Sequence, residues 1–302
     1  MLQALTGLID EKNAGRIAVH EHIVVDFRDS SKPPTSINAD EVIRVMEPYL
    51  VMLKNAGCDT LAECTPYWLG RAPLILAELS RRTGVNILTN TGWYQSPYLP
   101  PEAESLNADE IARIWINEAR SGIDDTGLKP GFIKIALNSG KINKLQQKIL
   151  RAAIFASHET KLAIVSHTVG SEAACEAVSI LEKEGLEHER FIWAHADAAD
   201  GPEVHARLAE KGVWISIDGI GSRHDEHVDM IKRLVEAGFG NKVLISQDSG
   251  WYTAGEPMGG NIRAYHTLFT EFIPYAQKMG LDSQTMDAIV TVNAASALSI
   301  RR

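Results

Sequence analysis

The sequence has few of the features that mark secreted or membrane proteins. Its three cysteines, Cys58, Cys64 and Cys175, form neither a paired framework nor a CxxC pattern, so we expect reduced thiols and no disulfides. No segment approaches the ~18 consecutive apolar residues of a membrane span. Residues 1–15 lack the basic and apolar regions of a signal peptide. We therefore expect a cytoplasmic protein with no membrane partner.

Basic charge and glycine-rich motifs are also scarce. The formal net charge of -9 argues against a nucleic-acid partner, which would require a basic surface. The chain has no GxGxxG, Walker or GxSxG motif, which disfavours nucleotide binding and serine-hydrolase chemistry. We expect a small-molecule substrate, and a homodimer is compatible with the sequence.

Short apolar runs alternate with amphipathic segments about eight times along the chain. Capping residues precede three of the predicted helices, at Asn38, Asn107 and Asn143. Strands that alternate with helices form a parallel sheet, and eight units favour a closed sheet over an open, doubly wound one. The prediction is therefore an α/β protein, a single (β/α)8 TIM barrel domain over residues 1–302, with residues 30–38 as a loop at the barrel mouth. The predicted strands lie near 16–21, 58–64, 86–91, 131–136, 162–167, 190–195, 212–218 and 242–248.

Polar side chains end several of these strands. His20 and His22 lie one residue apart, so they face the same side of a strand. An HxH pair alone is weak evidence, because buried histidines often serve only as hydrogen-bonded core residues. In a barrel, however, the C-terminal strand ends meet at one mouth, where catalytic groups lie. The full set is His20, His22, Lys134, His167, His195 and Asp248, and it has the composition of a two-metal hydrolytic site.

Two members of the set have other interpretations. Lys134 lies inside the apolar run GFIKIAL, where an unpaired ammonium is costly to bury. It could form a Schiff base with a carbonyl substrate, become a carbamate that bridges two metals, or extend to the rim. Asp248, in VLISQDSG, could complete a metal site or serve as a helix cap or turn residue.

The order of these motifs resembles the phosphotriesterase family of the amidohydrolase superfamily. The likeness runs over nearly the whole chain and includes GRIAVHEH, GFIKIA, SHT, HAD and DSGWY. It implies that His20, His22 and Asp248 hold one metal, that His167 and His195 hold the other, and that carboxylated Lys134 bridges both. The chain departs from the family pattern at Gln247, where a histidine is common, and in the NAAS segment after Val292, where Asn-Pro is common.

The expected reaction is hydrolysis, because two cations that share a hydroxide create a nucleophile at neutral pH. Nitrogen and carboxylate ligands suit Zn²⁺, which we expect, although Mn²⁺, Co²⁺ and Fe²⁺ are also chemically allowed. Asp248 would accept the proton, and a lactone or carboxylic ester is the expected substrate, with weak phosphotriesterase activity. The alternatives are phosphotriester, amide or carbamate hydrolysis, a Schiff-base aldolase that uses Lys134, and a metabolite-binding barrel without turnover.

Loop residues near the predicted mouth are candidates for substrate binding. A tyrosine that matches Tyr94 lies at the site of lactonase-like relatives, and this resemblance favours a lactone. The HDEH segment, His224 to His227, is expected to be a solvated first helical turn. The candidates for substrate binding are Arg71, Trp93, Tyr94, Arg223, Trp251 and Tyr252.

Overall fold

The computed structural model describes residues 1–34, 37–199 and 201–300. Thr35 and Ser36, which belong to the predicted mouth loop, lie outside the described residues. Within them, no helix is long and apolar enough to cross a membrane. The strands are β1 (Leu2–Ala4), β2 (Gly7–Ile9), β3 (Ile17–Val25), β4 (Thr60–Glu63), β5 (Asn86–Leu88), β6 (Asn90–Thr91), β7 (Phe132–Leu137), β8 (Ala163–Thr168), β9 (Phe191–Ala194), β10 (Trp214–Ile217), β11 (Val243–Ile245) and β12 (Gly250–Thr253).

Helices follow the strands in the rhythm that the sequence predicts. Asn107 and Asn143 each form a complete capping box, and Asn38 accepts a hydrogen bond from the backbone of Glu41. The helices are α1 (Ala39–Asn55), α2 (Pro73–Thr83), α3 (Glu102–Ser105), α4 (Ala108–Ser121), α5 (Lys144–Thr160), α6 (Ser171–Glu184), α7 (Pro202–Glu210), α8 (His224–Glu236), α9 (Ile273–Lys278), α10 (Ser283–Ala288) and α11 (Ala294–Leu298). Two π-helical segments, Leu268–Phe272 and Ile289–Asn293, precede α9 and α11.

The sheet is parallel throughout the barrel. One regular ladder joins β6, β7, β8, β9, β10 and β11, and a second joins β12, β3, β4 and β5. The chain runs directly from β5 into β6 at one seam. At the other seam, Asp248 N donates to His20 O at 3.1 Å and His22 N donates to Ser249 O at 2.9 Å. The prediction of a TIM barrel is confirmed, while the assignment of residues 1–302 to one domain stays a prediction.

Successive side chains along each strand point alternately inward and outward, which creates two separate apolar regions. Outward side chains pack against the helices, as Ile133 and Ile135 of β7 do. Inward side chains fill the N-terminal part of the barrel interior, as Phe132 of β7 does, and the β1–β2 hairpin and α11 cover that end with Leu2 and Leu298. This cluster, here called the lower core, includes Leu2, Ile17, Val19, Leu88, Phe132, Val165, Ile192, Trp214, Leu244 and Leu298.

Strand β3 contains an irregularity that decides which side chains face the interior. Its pairing with β4 shifts between Ala18 and Glu21, so that β3 carries one more residue than its partner over this stretch. Such a β-bulge reverses the alternation of faces beyond it. Ile17 and Val19 therefore face the lower core below the bulge, while His20 and His22 face the interior above it.

Candidate metal centre

The six strand-end side chains line one pocket at the C-terminal end of the barrel. Two of them arrive by simple alternation, since Lys134 follows Phe132 and His167 follows Val165 on the inner face. The bulge in β3 supplies His20 and His22. His195 and Asp248 have φ values of 61° and 50°, so a left-handed backbone turns each of them into the pocket. The structure thus brings together the whole set His20, His22, Lys134, His167, His195 and Asp248.

The imidazole rings lie close to one another. The ring centroids of His20 and His195 are 4.8 Å apart, and those of His167 and His195 are 4.3 Å apart. His22 Nε2 lies 3.2 Å from Asp248 Oδ1. Lys134 is 1% exposed and its Nζ lies 3.0 Å from His20 Nε2. All of these groups could reach a common cation or pair of cations.

Buried partners hold the two β3 histidines from behind. His20 Nδ1 lies 3.0 Å from Asp218 Oδ2, and His22 Nδ1 lies 2.8 Å from Thr65 Oγ1. The carboxylate contact favours the His20 tautomer whose Nε2 lone pair faces the pocket, and Thr65 orients the His22 ring, which is the usual arrangement around metal-binding histidines. Thr65 is itself held, because its backbone N donates to Glu63.

Electrostatics favour neutral histidines and an ionised aspartate. Burial lowers the pKa of His167 to about 2 and that of His195 to about 4, and it also lowers the pKa values of His20 and His22. Burial opposes ionisation of Asp248, but its interactions with His22, His20 and His195 outweigh it and hold its pKa well below the usual range. Neutral imidazole and carboxylate are the protonation states that bind metals.

The donor set fits a divalent cation. His195 Nε2 is buried and lacks a hydrogen-bond partner, although such atoms are normally satisfied. Among the described residues, two groups place one ligand atom each within 4.8 Å of one another: His20, His22 and Asp248, and His20, His195 and Asp218. The first group matches the set that the resemblance assigns to one metal. Nitrogen and oxygen donors of this kind suit zinc and related transition metals.

Sequence reasoning missed the buried carboxylates that support the pocket. Asp218, directly after β10, is fully buried, accepts from His195 N at 2.8 Å and from Ser216 Oγ at 2.6 Å, and its burial raises its pKa to about 6. Its signal was the polar residue that ends the apolar run WISID, the same signal that identified the histidines.

Glu21 holds the segment that carries Asp248. Its Oε1 accepts from Ser246 Oγ at 2.8 Å and from Gln247 N at 3.1 Å, while its Oε2 accepts from Ser249 N at 2.6 Å. Glu21 therefore contacts the chain on both sides of Asp248, in a buried position outside the pocket. Alternation along β3 could have indicated that Glu21 and the histidines face opposite sides, but not what Glu21 contacts.

Gln247, the departure from the family pattern, also has a structural role. Its side-chain nitrogen donates to Tyr265 O at 2.5 Å, and its side-chain oxygen accepts from Leu268 N at 2.8 Å. These two hydrogen bonds connect the segment after β11 to the segment before α9. The other departure leaves Asn293 in place, and this residue donates to the carbonyls of Gly240 and Val243.

Two of the predicted substrate-binding residues line the pocket. Tyr94 lies against His167, with ring centroids 5.3 Å apart. Trp251 lies against His22, with centroids 4.2 Å apart. Burial raises the pKa of Tyr94 far above its usual value, so the side chain stays a neutral hydroxyl.

The other four predicted residues do not line it, which corrects the expectation from sequence. Arg71 is buried and forms a bidentate ion pair with Glu118, since the guanidinium must be neutralised there. Trp93 packs edge-to-face on Trp115 of α4, in the apolar layer between the strands and the helices. The hydroxyl of Tyr252 donates to Glu41 on α1. Arg223 is exposed, with its guanidinium 3.1 Å from Glu226 and 3.7 Å from Asp197.

The HDEH segment is also different from expectation. His224 begins α8 as predicted, but His227 is 1% exposed, with its Nε2 3.4 Å from Asp197 Oδ2. The first turn of α8 is therefore solvated on one side only, because the helix packs its other side against the barrel.

Comparison with known proteins identifies relatives of this chain in one protein family. The family model described as the phosphotriesterase family matches residues 1–298. An aryldialkylphosphatase of Saccharolobus solfataricus is 28% identical, covering 94% of this chain and 95% of that protein. The N-acetyltaurine hydrolase of Homo sapiens is 21% identical, with 99% and 98% covered. A solved structure, a mutant of an organophosphorus hydrolase from Deinococcus radiodurans, superposes with a TM-score of 0.90 at 23% identity, covering 99% of this chain and 97% of that one.

Proposed function

The chain belongs to the phosphotriesterase family and is a metal-dependent hydrolase, and from this premise we propose that it hydrolyses a lactone or a carboxylic ester at a binuclear metal centre. The observation that carries the proposal is the convergence of six metal-binding side chains on one pocket. His20, His22 and Asp248 would hold one cation, and His167 and His195 the other. Lys134, carboxylated at Nζ, would bridge them, and Zn²⁺ is the expected metal.

The bound metals would supply a hydroxide nucleophile at neutral pH and polarise the scissile carbonyl. Asp248 is ionised and next to the pocket, so it can accept the proton released during attack. Glu21 would keep Asp248 in place through the backbone on either side of it. The neutral hydroxyl of Tyr94 can donate a hydrogen bond to the substrate.

The walls of the pocket are compatible with a carbonyl substrate. Directly over the six side chains the space is about 50 Å³, with apolar walls from Val25, Phe27, Leu69 and Trp251. A lactone carbonyl or an ester carbonyl can enter a space of this kind. The proposal that phosphotriester hydrolysis is only a weak side reaction rests on the resemblance of Tyr94 to the tyrosine of lactonase-like relatives.

A substrate panel tests the proposal. Zinc-reconstituted protein is assayed with γ- and δ-lactones, an aryl ester, an aryl phosphotriester and an N-acyl amine, with the Asp248→Asn variant as the control. We expect the highest kcat/KM for a lactone or ester, with loss of that activity in the variant. A higher kcat/KM for the phosphotriester would contradict the proposal.

Amide hydrolysis is the second candidate function. It is favoured by the similarity to the human N-acetyltaurine hydrolase, whose name describes cleavage of an N-acyl bond. The same hydroxide and the same proton acceptor would serve an amide. Detection of a released amine in the panel, at a higher kcat/KM than for any lactone or ester, would establish this alternative.

A further inference from the structure

A second, larger cavity adjoins the candidate metal centre. It has a volume of about 770 Å³ and opens between β10 and the segment that precedes α9. His167, His195 and Asp248 belong to the walls of both spaces. Any part of a substrate that extends beyond the small chamber over the metals can therefore enter this larger cavity.

The charges that face the larger cavity are unequally neutralised. Asp218 accepts from a backbone N–H and a serine hydroxyl and contacts His20. Asp197 accepts from Asp218 N, contacts His227 and lies 3.7 Å from the guanidinium of Arg223. Asp248 contacts His22. Arg263 is the only lysine or arginine among the described residues that line this cavity, and it forms no ion pair with any carboxylate in the described ranges.

The position of Arg263 is fixed by the neighbouring strand. Its backbone forms two hydrogen bonds of 2.9 Å with Gly250, the first residue of β12. One N–H of its guanidinium donates to the backbone carbonyl of Asp248. A guanidinium has five N–H donors, so most of the donor capacity of Arg263 is left for a ligand in the cavity. The charge is thus held against the backbone of the candidate proton acceptor.

We propose that Arg263 binds an anionic group of the substrate, so that the preferred substrates are lactones, esters or amides that carry a carboxylate or sulfonate a short spacer away from the scissile bond. This inference rests on the proposed hydrolytic function. Arginine suits the role because its planar fork binds carboxylate with two parallel hydrogen bonds. The anionic group would lie in the larger cavity while the carbonyl lies over the metals.

A pair of substrates that differ in one charge tests the proposal. The zinc-loaded enzyme is assayed with γ-carboxy-γ-butyrolactone and with its neutral carboxamide, by the acid released on ring opening. A sulfonate analogue of the same lactone distinguishes the two anion types. We expect wild-type KM to be lower for the charged lactones than for the carboxamide.

Arg263→Gln keeps a hydrogen-bond donor near Asp248 but removes the charge. We expect KM for the carboxylate to rise about 10-fold or more, with kcat changed less than about 3-fold and the carboxamide unaffected. Arg263→Lys should recover part of the difference. The matched control is Arg28→Gln, because Arg28 lies at the same end of the barrel with its charge already paired with Asp26.

Equal losses for both lactones in Arg263→Gln would overturn the proposal, because Arg263 would then only support the Asp248 segment. A wild-type preference for the carboxamide would overturn it too and leave the hydrolase proposal intact. If the wild type opened neither lactone, and no lactone or ester in the panel, the proposed function would fail. Titration calorimetry with glutarate would then decide about Arg263: weaker binding by Arg263→Gln supports the anion site, and equal binding refutes it.

Discussion

The two ends of the barrel interior are built from the same strands but carry opposite kinds of side chain. In β7, Phe132 fills the lower core, and two residues later Lys134 faces the candidate metal centre. In β8, Val165 and His167 show the same contrast. The lower core buries apolar surface, which stabilises the fold. The upper end buries imidazoles, an amine and carboxylates, which cost folding free energy unless they are paired or bind a ligand. Stability and activity should therefore be separable along a single strand.

The largest expected effect comes from Asp248→Ala, which alters only the upper end. We expect kcat/KM to fall by on the order of 10²- to 10⁴-fold or more, because the proton acceptor and a proposed metal ligand are lost together. The melting temperature should change little, since Asp248 contributes no apolar packing. Steady-state kinetics and thermal denaturation check this pair of results. If Asp248→Ala lost its folded structure as well as its activity, stability and activity would not be separable between the two ends.

Lys134 tests whether the upper end depends on metal. Lys134→Ala should lose at least half of the bound zinc, while Lys134→Glu should keep both ions, because a carboxylate can replace the bridging group. Elemental analysis of the purified variants measures this directly. Full zinc occupancy in Lys134→Ala would refute the bridging role, and borohydride trapping of a substrate on Lys134 in the presence of chelator would favour the Schiff-base alternative.

Phe132→Ala is the matched change at the lower end of the same strand. We expect a loss of about 3–5 kcal/mol in the free energy of unfolding, because a buried aromatic ring is replaced by a cavity. Below its melting temperature the variant should keep its zinc content and its KM. Urea denaturation and elemental analysis provide the two measurements. A loss of zinc in the folded variant would show that the ends are coupled.

The pH dependence of the free energy of unfolding, compared between the wild type and Glu21→Gln, tests the buried carboxylate of Glu21. Burial raises the pKa of Glu21 from 4.5 to about 8, so between these pH values the native state holds a proton that the unfolded state has released. The free energy of unfolding must then fall as pH rises through this window, by about 1.4 kcal/mol per pH unit from this one group. In the metal-free protein, the wild-type decline should be steeper than that of Glu21→Gln by this amount. Identical slopes would show that Glu21 does not titrate there.

The barrel itself was predictable because the sequence shows short apolar runs that alternate regularly with amphipathic segments. All eight predicted strands occur, because apolar runs and helix caps such as Asn107 and Asn143 depend only on residues that are close in sequence. The β1–β2 hairpin and β12 were not predicted, because their pairing depends on partners elsewhere in the chain.

The site was predictable only in part, for reasons visible in its geometry. Alternation accounts for Lys134 and His167, but the inward direction of His195 and Asp248 depends on left-handed backbone that their residue types do not require. Arg71 and Trp93 follow strands at the mouth, as the sequence suggested, yet ion pairing with Glu118 and packing on Trp115 draw them away from the pocket. Arg263 has no strand-end signal and was missed.

The extra residue in β3 has a consequence for how this pocket could change. If the alternation set by Ile17 and Val19 continued without the bulge, Glu21 would face the cavity and both imidazoles would face the surrounding helices. Deletion of Val19 would remove the bulge while keeping both imidazoles inward, so its cost would fall on the lower core and not on the choice of metal ligands.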